Sequence, residues 1–223
     1  MRNYILFLTL LLTISLSAQK LVIDSAFTSI KVYDGILLSL VKSDSLYFEI
    51  SEGNRPLEDF KLDVEKNILT IRLAPDKRNG AEVRAKLHYK TLTDIKAFGK
   101  AELTTRNIIK TDSISIEMRS GAIGFIDLDV KSLNALILEG ALLTCEGYAI
   151  DQHITSKTGA TFSGFKLEGK TAKVLSGSGG KSKVNISDKA ELKAKFRGYI
   201  GYKGNPKFAD KKKFPLGQIV KDE

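Results

Sequence analysis

Histidine, cysteine, long apolar runs and helical periodicity are all scarce in this chain of 223 residues, and each shortage removes a class of explanation. The single cysteine, Cys145, cannot close an internal disulfide, so stability must come from backbone pairing and packed apolar side chains. Following Leu142 and Leu143, it reads as a small buried residue rather than a nucleophile. No Cys and His spacing of a zinc site exists. Only His88 and His153 are available as general bases near neutral pH. His88 sits in Lys86-Leu87-His88-Tyr89, a strand pattern that favours a structural role. After the first eighteen residues no apolar stretch approaches the roughly 20 residues a spanning helix needs. No useful length of chain carries the 3.6-residue period of a helix.

What is present begins with a leader. Arg2 precedes an apolar run from Tyr4 to Leu12 that continues through Ile14 and Leu16 to Ser17-Ala18, the pattern of a secretory signal peptide cleaved after Ala18. No Cys follows the run, so a lipid-modified N-terminus is not expected. The remaining residues suit one domain, with residues 19–213 as its body and 214–223 as a loose C-terminal tail or docking segment.

Glycine marks six corners along the second half: Gly99, Gly121, Gly140, Gly159, Gly177 and Gly198. Their intervals of 22, 19, 19, 18 and 21 residues signal a stacked repeat. Between corners the residues alternate: Ile114, Ile116 and Met118 with Ser113, Ser115 and Glu117; Ile126, Leu128 and Val130 with Asp127 and Asp129; Ala190, Leu192, Ala194 and Phe196 with Glu191, Lys193, Lys195 and Arg197. A ribbon with one apolar face cannot bury it alone, so successive coils must stack about 4.8 Å apart. The fold class expected is all-β, a short β-solenoid preceded by an N-terminal β-hairpin region. In that region Leu62 and Val64 alternate ahead of Glu65-Lys66-Asn67, and Leu69, Ile71 and Leu73 after it, a tight-hairpin signal. Pro56 to Phe60 suits a turn of helix, and Ala74 to Gly80 a loop. The competing architecture is a β-sandwich, whose strands also alternate between turns.

The net charge of +9 is uneven: residues 166–213 carry 14 Lys or Arg against 4 acids, a local +10, while the rest of the chain sums to −1. Lys193, Lys195 and Arg197 are expected on one side of a strand and Lys181 and Lys183 on another, brought by stacking within a Debye length of about 8 Å. These five are the candidate anion-binding residues, with acidic glycan or envelope lipid phosphates as partners; nucleic acid is not expected for an exported chain. The plainer reading is an end cap whose lysines block edge pairing. Asp127 and Asp129 supply too few oxygens for a Ca²⁺ site. Asp151-Gln152-His153 puts an acid and a His on one face of a strand. Gly177 to Gly180 lacks the Gly-Lys-Ser/Thr ending of a phosphate loop. No cofactor is called for. The rival of another class is a polysaccharide lyase or hydrolase, which requires Asp127, Asp129, Asp151 and His153 to converge in one groove.

Several segments together resemble the head GIN domain family of secreted and envelope proteins, described as autotransporter adhesin domains and found chiefly in Bacteroidota. They are Phe27-Thr28-Ser29-Ile30-Lys31-Val32 with Gly35-Ile36, Leu87-His88-Tyr89 to Leu92-Thr93-Asp94-Ile95, Ser176-Gly177-Ser178-Gly179, and Tyr202-Lys203-Gly204-Asn205-Pro206. The resemblance covers roughly Phe27 to Phe208. It implies a right-handed β-helix-like fold and a non-catalytic, surface-associated role. The family's repeated Ser-Gly-Ser-Gly-Asp corner survives here once, with Gly180-Lys181 in place of the acid.

Overall fold

The computed structural model describes residues 20–52, 56–78 and 83–222; the expected leader at 1–18 lies outside them. Among these residues the strands are β1 (Lys20–Val22), β2 (Ser29–Val32), β3 (Ile36–Lys42), β4 (Tyr47–Glu52), β5 (Phe60–Glu65), β6 (Ile68–Leu73), β7 (Val83–Tyr89), β8 (Asp94–Ala97) and β9 (Glu102–Thr105). They continue as β10 (Ile109–Met118), β11 (Ile123–Ile137), β12 (Leu142–Lys157), β13 (Thr161–Gly177), β14 (Lys181–Ala194), β15 (Tyr199–Lys203), β16 (Phe208–Lys213) and β17 (Gln218–Lys221). The expected helical turn after Pro56 is a single 3-10 turn, Leu57–Asp59.

From β8 onward every neighbouring pair is parallel, and the chain climbs as a β-solenoid of about seven turns. Each coil consists of two straight runs. In β11 the inward residues Ile126, Leu128 and Val130 of the first run change phase at Lys131-Ser132, after which Leu133, Ala135 and Ile137 face inward. That bend separates the runs on one side, and a tight corner joins one coil to the next on the other.

The corners are β-turns closed by bonds from Ala101 N to Phe98 O, Ala122 N to Arg119 O, Ala141 N to Leu138 O and Ala160 N to Lys157 O, at 3.1 to 3.3 Å. Gly180, Gly198 and Gly217 close later ones at 2.8 to 2.9 Å. At every corner up to Phe196-Arg197 both central residues have positive φ, as in Ser120 (55°) with Gly121 (76°), the geometry of a type I′ turn; at Pro215-Leu216 only Leu216 does (62°), the pattern of a type II turn. Two corner markers move. The turn centres are Ser178-Gly179 and Phe196-Arg197, so Gly177 precedes its turn and Gly198 closes the next. Phe196 therefore leaves the inward row that alternation assigned it and stands 62% exposed. The corners stack directly, Gly121 N bonding Glu139 O, Gly140 N bonding Thr158 O and Gly159 N bonding Ser178 O at 3.0 to 3.1 Å.

Inside, like positions form columns. Ile30, Ile95, Ile116, Ala135, Ile154, Val174 and Leu192 are in successive register and all buried. No single coil could shield such a row from water; the stack does, which is why the layers hold together.

The N-terminal region departs from a set of hairpins in one respect. β5 and β6 are the expected antiparallel hairpin, turning at Lys66 (φ 50°) and Asn67 (φ 64°). β2 and β3, however, form a coil of the solenoid. β2 lies parallel between β6 and β8, and β3 parallel between β7 and β9, so residues 29–42 enter the stack out of sequence order. β4 then packs antiparallel on β7, and β1 antiparallel on β4, reversing strand direction at this end.

Among the described residues the opposite end shows no such reversal. β16 pairs with β14 and β17 with β15, both parallel. The segment after Phe214, expected to be a loose tail, instead turns at Pro215-Leu216 and adds β17 to the stack, with Ile219 buried beside Ile200. The pattern was hidden because its run is only four residues long.

Candidate functional site

The five candidate basic residues gather around one corner but on two sides of it. Lys181 and Lys183 project outward from the first run of β14, where they and Arg197, Tyr199, Leu216 and Gln218 line an open recess of about 870 Å³. Lys193 ends its side chain 5.2 Å, and Lys195 5.4 Å, from the ring centre of Phe214 on the other side. Arg197 does not share a strand face with Lys193 and Lys195, as alternation suggested; it is the second central residue of the turn, with φ 62°, and joins the recess of Lys181 and Lys183. The acids nearest in sequence are engaged locally, Glu191 by Lys189 at 2.7 Å and Asp210 by Lys212 at 3.2 Å.

Sequence reasoning missed the apolar part of this corner. Phe196 is 62% exposed and Leu216 69%, and Phe196 N donates to Pro215 O at 3.1 Å, so the two turns are stacked. The available signal was spacing: 178, 196 and 215 follow at intervals of 20, 18 and 19 residues, close to the 19 that separates 120, 139 and 158.

The candidate acid and base groups do not converge. Asp127 and Asp129 stand on the first run of β11, Asp129 ion-paired with Lys110 at 3.0 Å. Asp151 stands at the bend of β12, in register with Ser132, and His153 follows on the second run. There Asp151 accepts a 2.6 Å bond from Thr171 Oγ1, and His153 Nδ1 lies 3.2 Å from Asn134 Oδ1. Among the described residues no three His, Cys, Asp or Glu side chains gather as a metal site would require.

The remaining groups are structural. Cys145 is fully buried, and burial first, with the Asp127 charge second, pushes its thiol pKa far up, away from nucleophilic use. His88 stacks on Tyr47 with ring centres 3.7 Å apart, and Lys20 Nζ covers the Tyr47 ring at 3.5 Å, so His88 helps pin β1 and β4 over the reversed end. Its Nε2 lies 3.4 Å from Glu49 Oε1, and Lys86 Nζ lies 3.2 Å from the same oxygen. Burial raises the Glu49 carboxyl, yet the bonds and charges of Lys86 and His88 outweigh it and hold the carboxyl below its ordinary value. The Ser-Gly-Ser-Gly corner contributes Ser176, which with Ser156 and Ser182 forms a closed triangle of buried hydroxyls at 2.9, 2.9 and 3.2 Å.

Fold and side chains together define a stacked-coil β protein whose titratable groups are dispersed over two faces and whose positive charge is concentrated at one end. The chain belongs to the head GIN domain family: residues 26–206 match the family described as "Putative auto-transporter adhesin, head GIN domain". Among solved structures it is similar to a protein of Bacteroides fragilis described as a putative adhesin, with 19% identity, TM-score 0.82, and coverage of 92% of this chain and 96% of that one. A second putative adhesin, from Parabacteroides merdae, has 18% identity and TM-score 0.71 over 93% of this chain and 96% of its own. A protein of Parabacteroides distasonis described as a putative lipid binding protein has 15% identity and TM-score 0.67 over 92% and 97%. At these identities the likeness establishes the shared fold. Among curated proteins no match is found.

Proposed function

We propose that this chain is a non-catalytic, exported β-solenoid of the cell envelope or cell surface that works as an adhesin-like binding module. One observation carries the reading: Asp127 and Asp129 lie on the first run, Asp151 at the bend and His153 on the second run, with Asp129, Asp151 and His153 engaged separately by Lys110, Thr171 and Asn134. A hydrolase or lyase needs its acid and base on one substrate bond. A binding module needs only a rigid surface, and stacked coils supply continuous outward ladders on both runs. Membership of the head GIN family supports the same reading.

The test has two arms. Purified chain incubated with a panel of acidic and neutral polysaccharides should release no reducing ends and no unsaturated products. Protease shaving of intact cells, followed by fractionation, should find the chain outside the cytoplasm, on the surface or in the envelope fraction. Polysaccharide turnover abolished by Asp151→Asn or His153→Ala would overturn the non-catalytic reading, and recovery only in the cytoplasm would overturn export.

A further inference from the structure

The end corner breaks the pattern of every corner before it. The stacked turns at Ser120-Gly121, Glu139-Gly140, Thr158-Gly159 and Ser178-Gly179 place a polar residue and a glycine at their two centres. At the last two, Phe196-Arg197 and Pro215-Leu216 take over, with Phe196 (φ 46°), Arg197 (φ 62°) and Leu216 (φ 62°) held in a left-handed conformation that glycine or asparagine would adopt more easily. Strained backbone that presents bulky side chains to water is retained where those side chains have a use. The result is an apolar apex, Phe196 at 62%, Leu216 at 69% and Phe214 at 42% exposure. Lys193 and Lys195 flank it on one side, and Arg197, Lys181 and Lys183 on the other. No acid occurs from Leu192 to Gly201 or from Lys211 to Gln218, stretches that hold six Lys or Arg.

We propose that this corner docks the protein on an anionic lipid surface, with Phe196 and Leu216 entering the headgroup layer while the surrounding lysines and Arg197 meet lipid phosphates. The pairing of exposed aromatic and aliphatic tips with a cationic collar is the chemistry of interfacial binding, in which neither signal suffices alone. Position agrees, because the apex sits on the last coils of the stack, next to β16 and β17. An acidic glycan would account for the basic recess and Tyr199 but not for two large apolar side chains raised on a convex turn. The inference rests on the non-catalytic binding role above and assigns it a site and a ligand.

The chain contains no tryptophan, so one introduced at the tip reports on that position alone. The full chain recovered after export, carrying Leu216→Trp, is titrated with vesicles of phosphatidylcholine alone and of phosphatidylcholine with about 30% phosphatidylglycerol. The expected result is a blue-shifted emission with the anionic vesicles only. Phe125→Trp, at a residue 46% exposed in the middle of the stack, should show no shift. In vesicle flotation, Phe196→Ser with Leu216→Ser should weaken anionic-vesicle binding about tenfold, as should Lys193→Ala with Lys195→Ala and Arg197→Ala. No binding to anionic vesicles, binding without a shift at position 216, or retention on heparin that survives the two Ser substitutions while vesicles fail to bind would each overturn it. Those outcomes leave the non-catalytic reading standing, whereas polysaccharide turnover would sink that reading while leaving the vesicle results as they are, so the two failures are distinguishable.

Discussion

Substituting Gly180 by alanine tests how tightly the last coils are pinched. The residue closing each turn is buried Ala101, Ala122, Ala141 and Ala160 in the earlier coils, then becomes Gly180, Gly198 and Gly217. Gly180 has ordinary φ, so conformational freedom is not its reason. A Cβ there would press on Ser156 O and lie 2.5 Å from the Ser156 carbonyl carbon and 2.8 Å from Lys157 N, all backbone atoms. Ser156 cannot swing aside freely, because its hydroxyl closes the triangle with Ser176 and Ser182. Overpacking typically costs about 1–3 kcal/mol, and contact with backbone puts this site near the top of that range, at about 3 kcal/mol. Gly140→Ala is the matched control: nothing lies within 4 Å of its Cβ, and only its φ of +72° opposes the change, at about 1 kcal/mol. Urea unfolding followed by far-UV circular dichroism yields both values from midpoint and slope. A cost for Gly180→Ala no greater than that of Gly140→Ala would refute the pinch.

Ser182→Ala removes two of the three edges of the hydroxyl triangle and leaves Ser156 and Ser176 only each other, which should cost about 1–2 kcal/mol in the same urea assay. Glu49→Gln should destabilise the chain by about 1 kcal/mol at neutral pH. Since the folded carboxyl lies below its unfolded value of 4.5, this stability is present above that value and lost as pH falls through the folded one. Thermal melts of the two proteins should therefore converge in acid, and a constant gap down the acid limb would contradict the assignment. Cys145 should ignore a thiol reagent in the folded chain and react fully in denaturant; rapid labelling without denaturant would show that its site is open.

Local chemistry made the repeat legible. Apolar residues at every second position, cut by turn residues at nearly even intervals, specify ribbons and corners without reference to any distant residue, since pleat and turn geometry are properties of adjacent peptides. The hairpin at Lys66-Asn67, the burial of Cys145 and the outward placing of Asp127 and Asp129 were readable for the same reason. The family resemblance was carried by such segments as well.

What a ribbon lies against is a different kind of information. β2 and β3 alternate like any short strands, and nothing within them says that they slot between β6 and β8 and between β7 and β9. Four residues, Gln218–Lys221, are too few to declare a strand until β15 offers them an edge. Alternation placed Phe196 inside and Arg197 beside Lys193, whereas a turn begun at Lys195 lifts Phe196 into water and carries Arg197 across the corner. The sequence alone therefore determined that coils form, because that depends on neighbours along the chain. Tertiary structure decided their order and which charges and apolar tips share a corner, because those depend on contacts between residues tens of positions apart.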